Sequence, residues 1–121
     1  MTKRILIVED TEDNRQILRD LFAATDYELI EAADGAEGVA TALSEKPDLI
    51  LMDIQLPVID GYEATRRIRA DPTLAHVPII AVTSYALSGD EAKARAAGCD
   101  AYVTKPFSPR QLLAKVREFL G

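Results

Sequence analysis

Four short apolar runs in this chain each end in a polar residue able to do chemistry, and helical segments separate them. Ile5 to Val8 lead into Glu9 and Asp10, and Leu49 to Met52 lead into Asp53. Ile79 to Val82 lead into Thr83, and Tyr102 and Val103 lead through Thr104 into Lys105. Short β-prone runs alternating with longer stretches of helical period are the pattern of a parallel sheet covered on both faces, since a strand buried on both sides has no polar face to alternate with. The spacing predicts strands near residues 4–9, 27–31, 48–53, 78–83 and 101–104. If these strands are parallel neighbours, their C-terminal ends share one edge, where ligands of open α/β sheets bind. Three carboxylates, a hydroxyl and an ammonium would then meet in one pocket.

The helix starts carry their own marks. Asp34, Asp60, Ser88 and Ser108 are followed three residues later by Glu37, Glu63, Glu91 and Gln111, the capping-box spacing. Pro109 takes the first helical position after Ser108, where a missing N–H costs nothing. Ile17, Leu18, Leu21 and Phe22 in the first helix, and Leu112, Leu113, Val116, Phe119 and Leu120 in the last, repeat at helical spacing and are expected to bury one stripe each. The fourth helix is Ala-rich and charged with Leu87 as its one large aliphatic residue, so it should gain little from burial and shift at low cost.

At 121 residues the chain is expected to be one domain, 1–121, with no room for an effector domain. A formal charge of -6 argues against nucleic-acid or anionic-membrane binding, which needs a basic patch, and leaves proteins or a cation as partners. Cys99 is the single cysteine and cannot form an internal disulfide; it reads as a small buried or half-buried thiol. The N-terminal apolar run stops at Glu9, too early for a signal-peptide core, so a soluble cytoplasmic protein is expected.

A strand-end carboxylate can simply cap the next helix, and Asp10 or Thr11 could do so. That explains one acid after the first apolar run but not two. With Asp53 added, three like charges would raise at least one pKa unless a cation sits among them, and a few carboxylates suit Mg²⁺. Thr83 alone is a good strand residue and Lys105 alone a surface charge. Together, at the ends of two strands, they offer a neutral donor and a cation where an anion would sit beside Asp53. An aspartate-nucleophile phosphatase would want an acid two residues after Asp53, and this chain has Gln55, so a phosphoryl-aspartate would persist and act as a signal. His76, between Pro72 and Pro78, reads as an exposed loop residue, which puts any phosphohistidine donor on another protein. Pro106 sets the turn after Lys105, with a cis bond possible.

These residues resemble the receiver domain of two-component response regulators. The resemblance runs through Glu9-Asp10, Leu51-Met52-Asp53-Ile54-Gln55-Leu56-Pro57 with Gly61 following, Thr83-Ser84, and Tyr102 to Lys105-Pro106. It implies a doubly wound, flavodoxin-like α/β fold with five parallel strands in order 2-1-3-4-5 and five helices. It further implies that Asp53 is the phosphoacceptor, that Glu9, Asp10, Asp53 and the Gln55 backbone carbonyl hold Mg²⁺, and that Lys105 pairs with phosphoryl oxygens. Thr83 and Tyr102 correspond to a switch pair, and Gln55, Ser84 and Tyr85 to positions that tune hydrolysis. Many members carry two aspartates where this chain has Glu9 and Asp10. The narrower resemblance is to single-domain regulators of the DivK type, through the Asp53–Pro57 block and His76-Val77-Pro78.

The implied partners are a sensor histidine kinase or histidine phosphotransfer protein, and a downstream protein bound on the face of the fourth helix, fifth strand and fifth helix. The implied chemistry is self-phosphorylation and slow dephosphorylation, with no separate enzyme activity. Two rivals remain: a metal-dependent phosphohydrolase, disfavoured by Gln55, and a non-phosphorylated interaction module, disfavoured by the complete residue set. A flavin carrier fits worst, because Glu9 and Asp10 occupy the turn where a flavin phosphate needs neutral donors.

Overall fold

A computed structural model describes residues 2–84 and 90–121. Strands β1 (Arg4–Val8), β2 (Glu28–Ala32), β3 (Leu49–Asp53), β4 (Ile79–Thr83) and β5 (Ala101–Thr104) form one parallel sheet in the order β2-β1-β3-β4-β5. They are connected through helices α1 (Glu12–Phe22), α2 (Gly35–Glu45), α3 (Gly61–Arg69) and α4 (Asp90–Ala97), and α5 (Pro109–Leu120) closes the order. Pro72–Leu74 add a 3-10 turn before β4. The order and helix count are those the resemblance implies.

The strands β1, β3 and β4 read as unbroken apolar runs because successive side chains enter two separate cores. Ile5, Ile7, Leu49, Leu51 and Ile80 pack under Leu18 and Phe22 of α1 and Leu112 and Val116 of α5. Leu6, Val8, Ile50, Met52, Ile79 and Ala81 pack with Ala42 of α2, Ala64 and Ile68 of α3 and Ala94 of α4. With both faces covered, the free ends of the central strands are what the sheet offers to solvent at its C-terminal edge. Among the described residues, no helix is long and apolar enough to cross a membrane.

Three of the expected caps form. The side chains of Asp34, Asp60 and Ser108 accept from the backbone N–H of Glu37, Glu63 and Gln111 at 2.7, 2.8 and 3.4 Å. The cap expected at Ser88 lies outside the described residues, as do Leu87 and Tyr85. Thr11 occupies the N-cap position of α1 but makes no side-chain cap bond; its hydroxyl is turned to Glu9 instead. The α1 stripe is narrower than its spacing predicts. Leu18 and Phe22, one turn apart, are buried, whereas Ile17 is 54% exposed because it sits a residue's rotation off that line. As expected, Cys99 is buried, against the Thr65 hydroxyl at 3.8 Å, and burial pushes its thiol up, away from reactivity.

Arg69 ties α3 to the start of β4 and the end of α4, a role no motif announces. Its guanidinium donates to the carbonyls of Gly98 at 2.9 Å, Leu74 at 2.9 Å and Val77 at 2.7 Å, and to the Asp100 carboxylate at 2.6 Å. Gly98 has φ +115°, a conformation that disfavours a side chain, and a Cβ there would lie 2.7 Å from Arg69 Cγ. We expect Arg69→Met to lower stability by about 3 kcal/mol, because several carbonyls and Asp100 lose their charged donor together. Urea denaturation reads this as a fall in midpoint at constant slope. A midpoint within error of wild type would contradict the assigned role.

Candidate active site at the C-terminal edge of the sheet

Four of the five strands deliver the residues. Glu9 and Asp10 follow β1, Asp53 ends β3, Thr83 ends β4, and Lys105 follows β5 by one residue. Glu9, Asp53 and Thr83 are 3%, 5% and 1% exposed, unusual burial for such groups, while Asp10 is exposed. Carboxylate oxygens of Glu9, Asp10 and Asp53 all lie within 4.8 Å of one another. Lys105 Nζ reaches Glu9 Oε2 at 3.0 Å and Asp53 Oδ2 at 3.4 Å. The Lys105-Pro106 bond, for which the sequence leaves either isomer open, is cis. A cavity of about 410 Å³ opens beside Asp53 and Lys105, walled by Asn14, Leu18 and Phe107.

The two buried carboxylates divide charge unequally. Burial raises Asp53, and adjacent Glu9 raises it further, to about 7, against the smaller pull of Lys105 and the Gln55 N–H. Burial would also raise Glu9, but hydrogen bonds from Asp53, Lys105 and Asn14 outweigh it and bring Glu9 down to about 2. Lys105 moves upward: burial works against its ammonium, and the two carboxylates more than offset that.

Glu9 is held by residues that sequence reasoning missed. Its Oε1 accepts from the Thr11 N–H and hydroxyl at 3.2 and 3.0 Å and from Asn14 Nδ2 at 3.2 Å, while Arg15 Nη1 donates to its carbonyl at 2.7 Å. The available signal was position: Asn14 and Arg15 lie in the first turns of the helix that starts at the strand end. Gln55 is the second surprise. Its backbone N–H donates to Asp53 Oδ1 at 3.1 Å, and its side chain donates to Thr83 Oγ1 at 2.7 Å and accepts from the Ser84 N–H at 3.2 Å. Tyr102 is half-buried on β5 opposite Ala81 and packs against the core that holds Leu6, Ile50 and Met52, and His76 is exposed as expected.

Residues 5–117 match the family model for the response regulator receiver domain. The chain belongs to the response-regulator receiver family. Members of this family work in two-component signalling, taking a phosphoryl group on an aspartate. The chain is 46% identical over 121 residues to the polar-differentiation response regulator DivK of Brucella ovis, covering all of this chain and 98% of that one. DivK of Brucella anthropi is 45% identical over the same span. Among solved receivers, that of the sensor histidine kinase PA1611 from Pseudomonas aeruginosa is 39% identical, superposes with a TM-score of 0.92 over 100% of this chain and 99% of that one, and holds magnesium in its active-site cleft. Chemotaxis protein CheY4 of Vibrio cholerae, at 28% identity, superposes with a TM-score of 0.92 over 98% of this chain and 99% of that one. Both likenesses extend to the whole receiver fold.

Proposed function

We propose that Asp53 is the phosphoacceptor of this receiver and that its donor is a phosphohistidine on a histidine kinase or a histidine phosphotransfer protein. The observation that carries this is Asp53 itself: a carboxylate 5% exposed at the end of a core strand, with an ammonium at 3.4 Å and two more carboxylates beside it. In the transfer, an Asp53 carboxylate oxygen attacks phosphorus as the phosphorus–nitrogen bond breaks. The imidazole leaves with the electron pair, and an acyl phosphate remains. Such transfers depend on positioning and charge stabilisation more than on covalent help from other groups.

Each neighbour has a part in that step. Lys105, already between Glu9 and Asp53, moves its ammonium onto the phosphoryl oxygens. Glu9 stays ionised under its four donors and keeps Lys105 at the mouth. An all-oxygen set of Glu9, Asp10, Asp53 and the Gln55 carbonyl suits Mg²⁺, and the PA1611 receiver carries magnesium in its cleft. When bound, Mg²⁺ supplies positive charge that neutralises both the carboxylates and the transferring group. The place a hydrolytic acid or base would need two residues after Asp53 belongs to Gln55, whose amide is engaged on both sides, so the acyl phosphate is expected to last long enough to be read.

The readout is assigned to Thr83, Tyr102 and the surface of α4, β5 and α5. Thr83 pairs with Thr104, and Tyr102 lies two residues before Thr104 on the same face of β5, so a displacement of Thr83 reaches Tyr102 through one strand pair. Ser84 and Tyr85 keep their reading as tuning positions. Incubation with acetyl phosphate and Mg²⁺ is expected to add one phosphoryl group by intact-mass measurement. A protein that gains none, yet binds a kinase unchanged, would be an interaction module and overturn the proposal.

A further inference from the structure

We infer that the Gln55 side chain is a positioning group that holds Thr83 in its resting place and thereby sets how readily this receiver switches. The inference rests on the reading of Thr83 as the residue that follows the phosphoryl group. Its physical basis is the bridge at the end of β3 and β4, in which one amide meets two consecutive residues of the neighbouring strand end: Nε2 to Thr83 Oγ1 at 2.7 Å and Oε1 from Ser84 N at 3.2 Å. The amide has one sensible orientation there. A backbone N–H can only donate, so Oε1 must face Ser84 and Nε2 must face the threonine oxygen. In that bond Thr83 is the acceptor. A hydroxyl drawn toward a phosphoryl oxygen on Asp53 must act as donor, and the movement lengthens or breaks the bond from Gln55.

Gln55 also sits on the other side of the event. Its backbone N–H donates to Asp53 Oδ1 at 3.1 Å, so one residue contacts the acceptor carboxylate through its main chain and the switch threonine through its side chain. The two contacts oppose one another in the switched state, since the loop stays with Asp53 while Thr83 leaves the amide. Thr83 is 1% exposed, so water does not reach it in place, whereas Gln55 is only half-buried and can rehydrate once released. Breaking the bond therefore costs one ordinary neutral hydrogen bond and not the full desolvation of a buried amide, which corresponds to roughly a fivefold change in the switching equilibrium.

The test uses the whole chain with Gln55→Met, which keeps side-chain length and loses both polar ends. Without any ligand, coupling constants are expected to show the Thr83 χ1 populations shifted from their wild-type values in the variant; unchanged values would overturn the inference. With Mg²⁺ and beryllofluoride as the phosphoryl mimic, the variant is expected to bind roughly fivefold more tightly than wild type. In a Thr83→Val background the same Gln55→Met change should have no effect on beryllofluoride affinity. An equal gain in that background would mean that Gln55 acts on the bound group directly, and the positioning role would be wrong. The rotamer measurement separates this inference from the proposed function: a wild type that binds no beryllofluoride defeats the phosphoacceptor reading, and the ligand-free comparison still decides the Gln55 bridge.

Discussion

Asp53→Asn is expected to reduce phosphoryl uptake from acetyl phosphate to below about 1% of wild type while leaving the fold intact. The amide keeps the size and shape of the carboxylate but is too poor a nucleophile to form an acyl phosphate. None of the nearby carboxylates takes over: Glu9 is held by Thr11, Asn14 and Lys105, and Asp10 is exposed beyond the end of β1. Stability should not fall, and in the presence of a chelator it should rise at alkaline pH. The reason follows from the sign of the Asp53 shift. A carboxyl raised from 3.8 to about 7 gives its full contribution to stability below pH 3.8 and loses it as pH rises through 7, where it ionises beside Glu9. An asparagine never ionises, so its advantage over wild type grows across that window, with Lys105 still paired to Glu9 at 3.0 Å. Intact-mass phosphorylation assays and thermal melts at pH 5 and pH 8 check both halves. An asparagine variant that takes up phosphoryl at the wild-type rate would remove Asp53 from its assigned role.

Gly61→Ala should be the most damaging conservative change in the loop after Asp53, destabilising by about 3 kcal/mol and slowing phosphorylation as well. A Cβ at Gly61 would lie 2.3 Å from the Asp53 carbonyl oxygen, 2.7 Å from Ile54 Cα and 3.0 Å from the Asp53 carbonyl carbon. Those are backbone atoms, so no rotamer change relieves the clash; the start of α3 or the end of β3 must move. Movement also strains the Gly61 N–H bond to the Ile54 carbonyl, 2.9 Å long, and displaces the residue that carries the phosphoacceptor. Gly38 offers the comparison. A Cβ there meets Val8 methyl groups at 2.8 and 2.9 Å, side-chain atoms that can adjust, so Gly38→Ala should cost less. Urea midpoints for the two variants, with phosphorylation rates at equal folded fraction, test the ordering. Equal midpoints would show that the backbone contact is not what holds position 61 as glycine.

Much of the site is legible in the sequence because parallel α/β sheets turn sequence order into spatial order. The runs of β1, β3 and β4 are strands buried on both faces, β5 lies half-buried at the side of the sheet, and the polar residue that ends each run emerges at one C-terminal edge. The caps at Asp34, Asp60 and Ser108 were readable for a similar local reason: an acceptor three residues before a donor satisfies a free N–H wherever the helix lies. Ile17 departs from its helical period because that period identifies a stripe without its width, and the packing of Leu18 and Phe22 sets where burial stops. Arg69 gave no sign of its role, since an arginine near a helix end looks the same whether it faces water or the carbonyls and carboxylate of neighbouring connections.

The sequence by itself determined the five strands, their covering helices and the acids, threonine and lysine gathered at their ends, because hydrophobic period and chain order are local properties that tertiary packing preserves. Only the tertiary structure decided how those groups divide their work: that Glu9 is gripped by Thr11 and Asn14, that Lys105 spans Glu9 and Asp53, and that Gln55 joins Asp53 to Thr83. The Lys105 contacts and the Gln55–Thr83 contact join residues far apart in the chain, while the grips on Glu9 and Asp53 are local; in both kinds, side-chain direction at the strand ends, which no periodicity encodes, selects the partner.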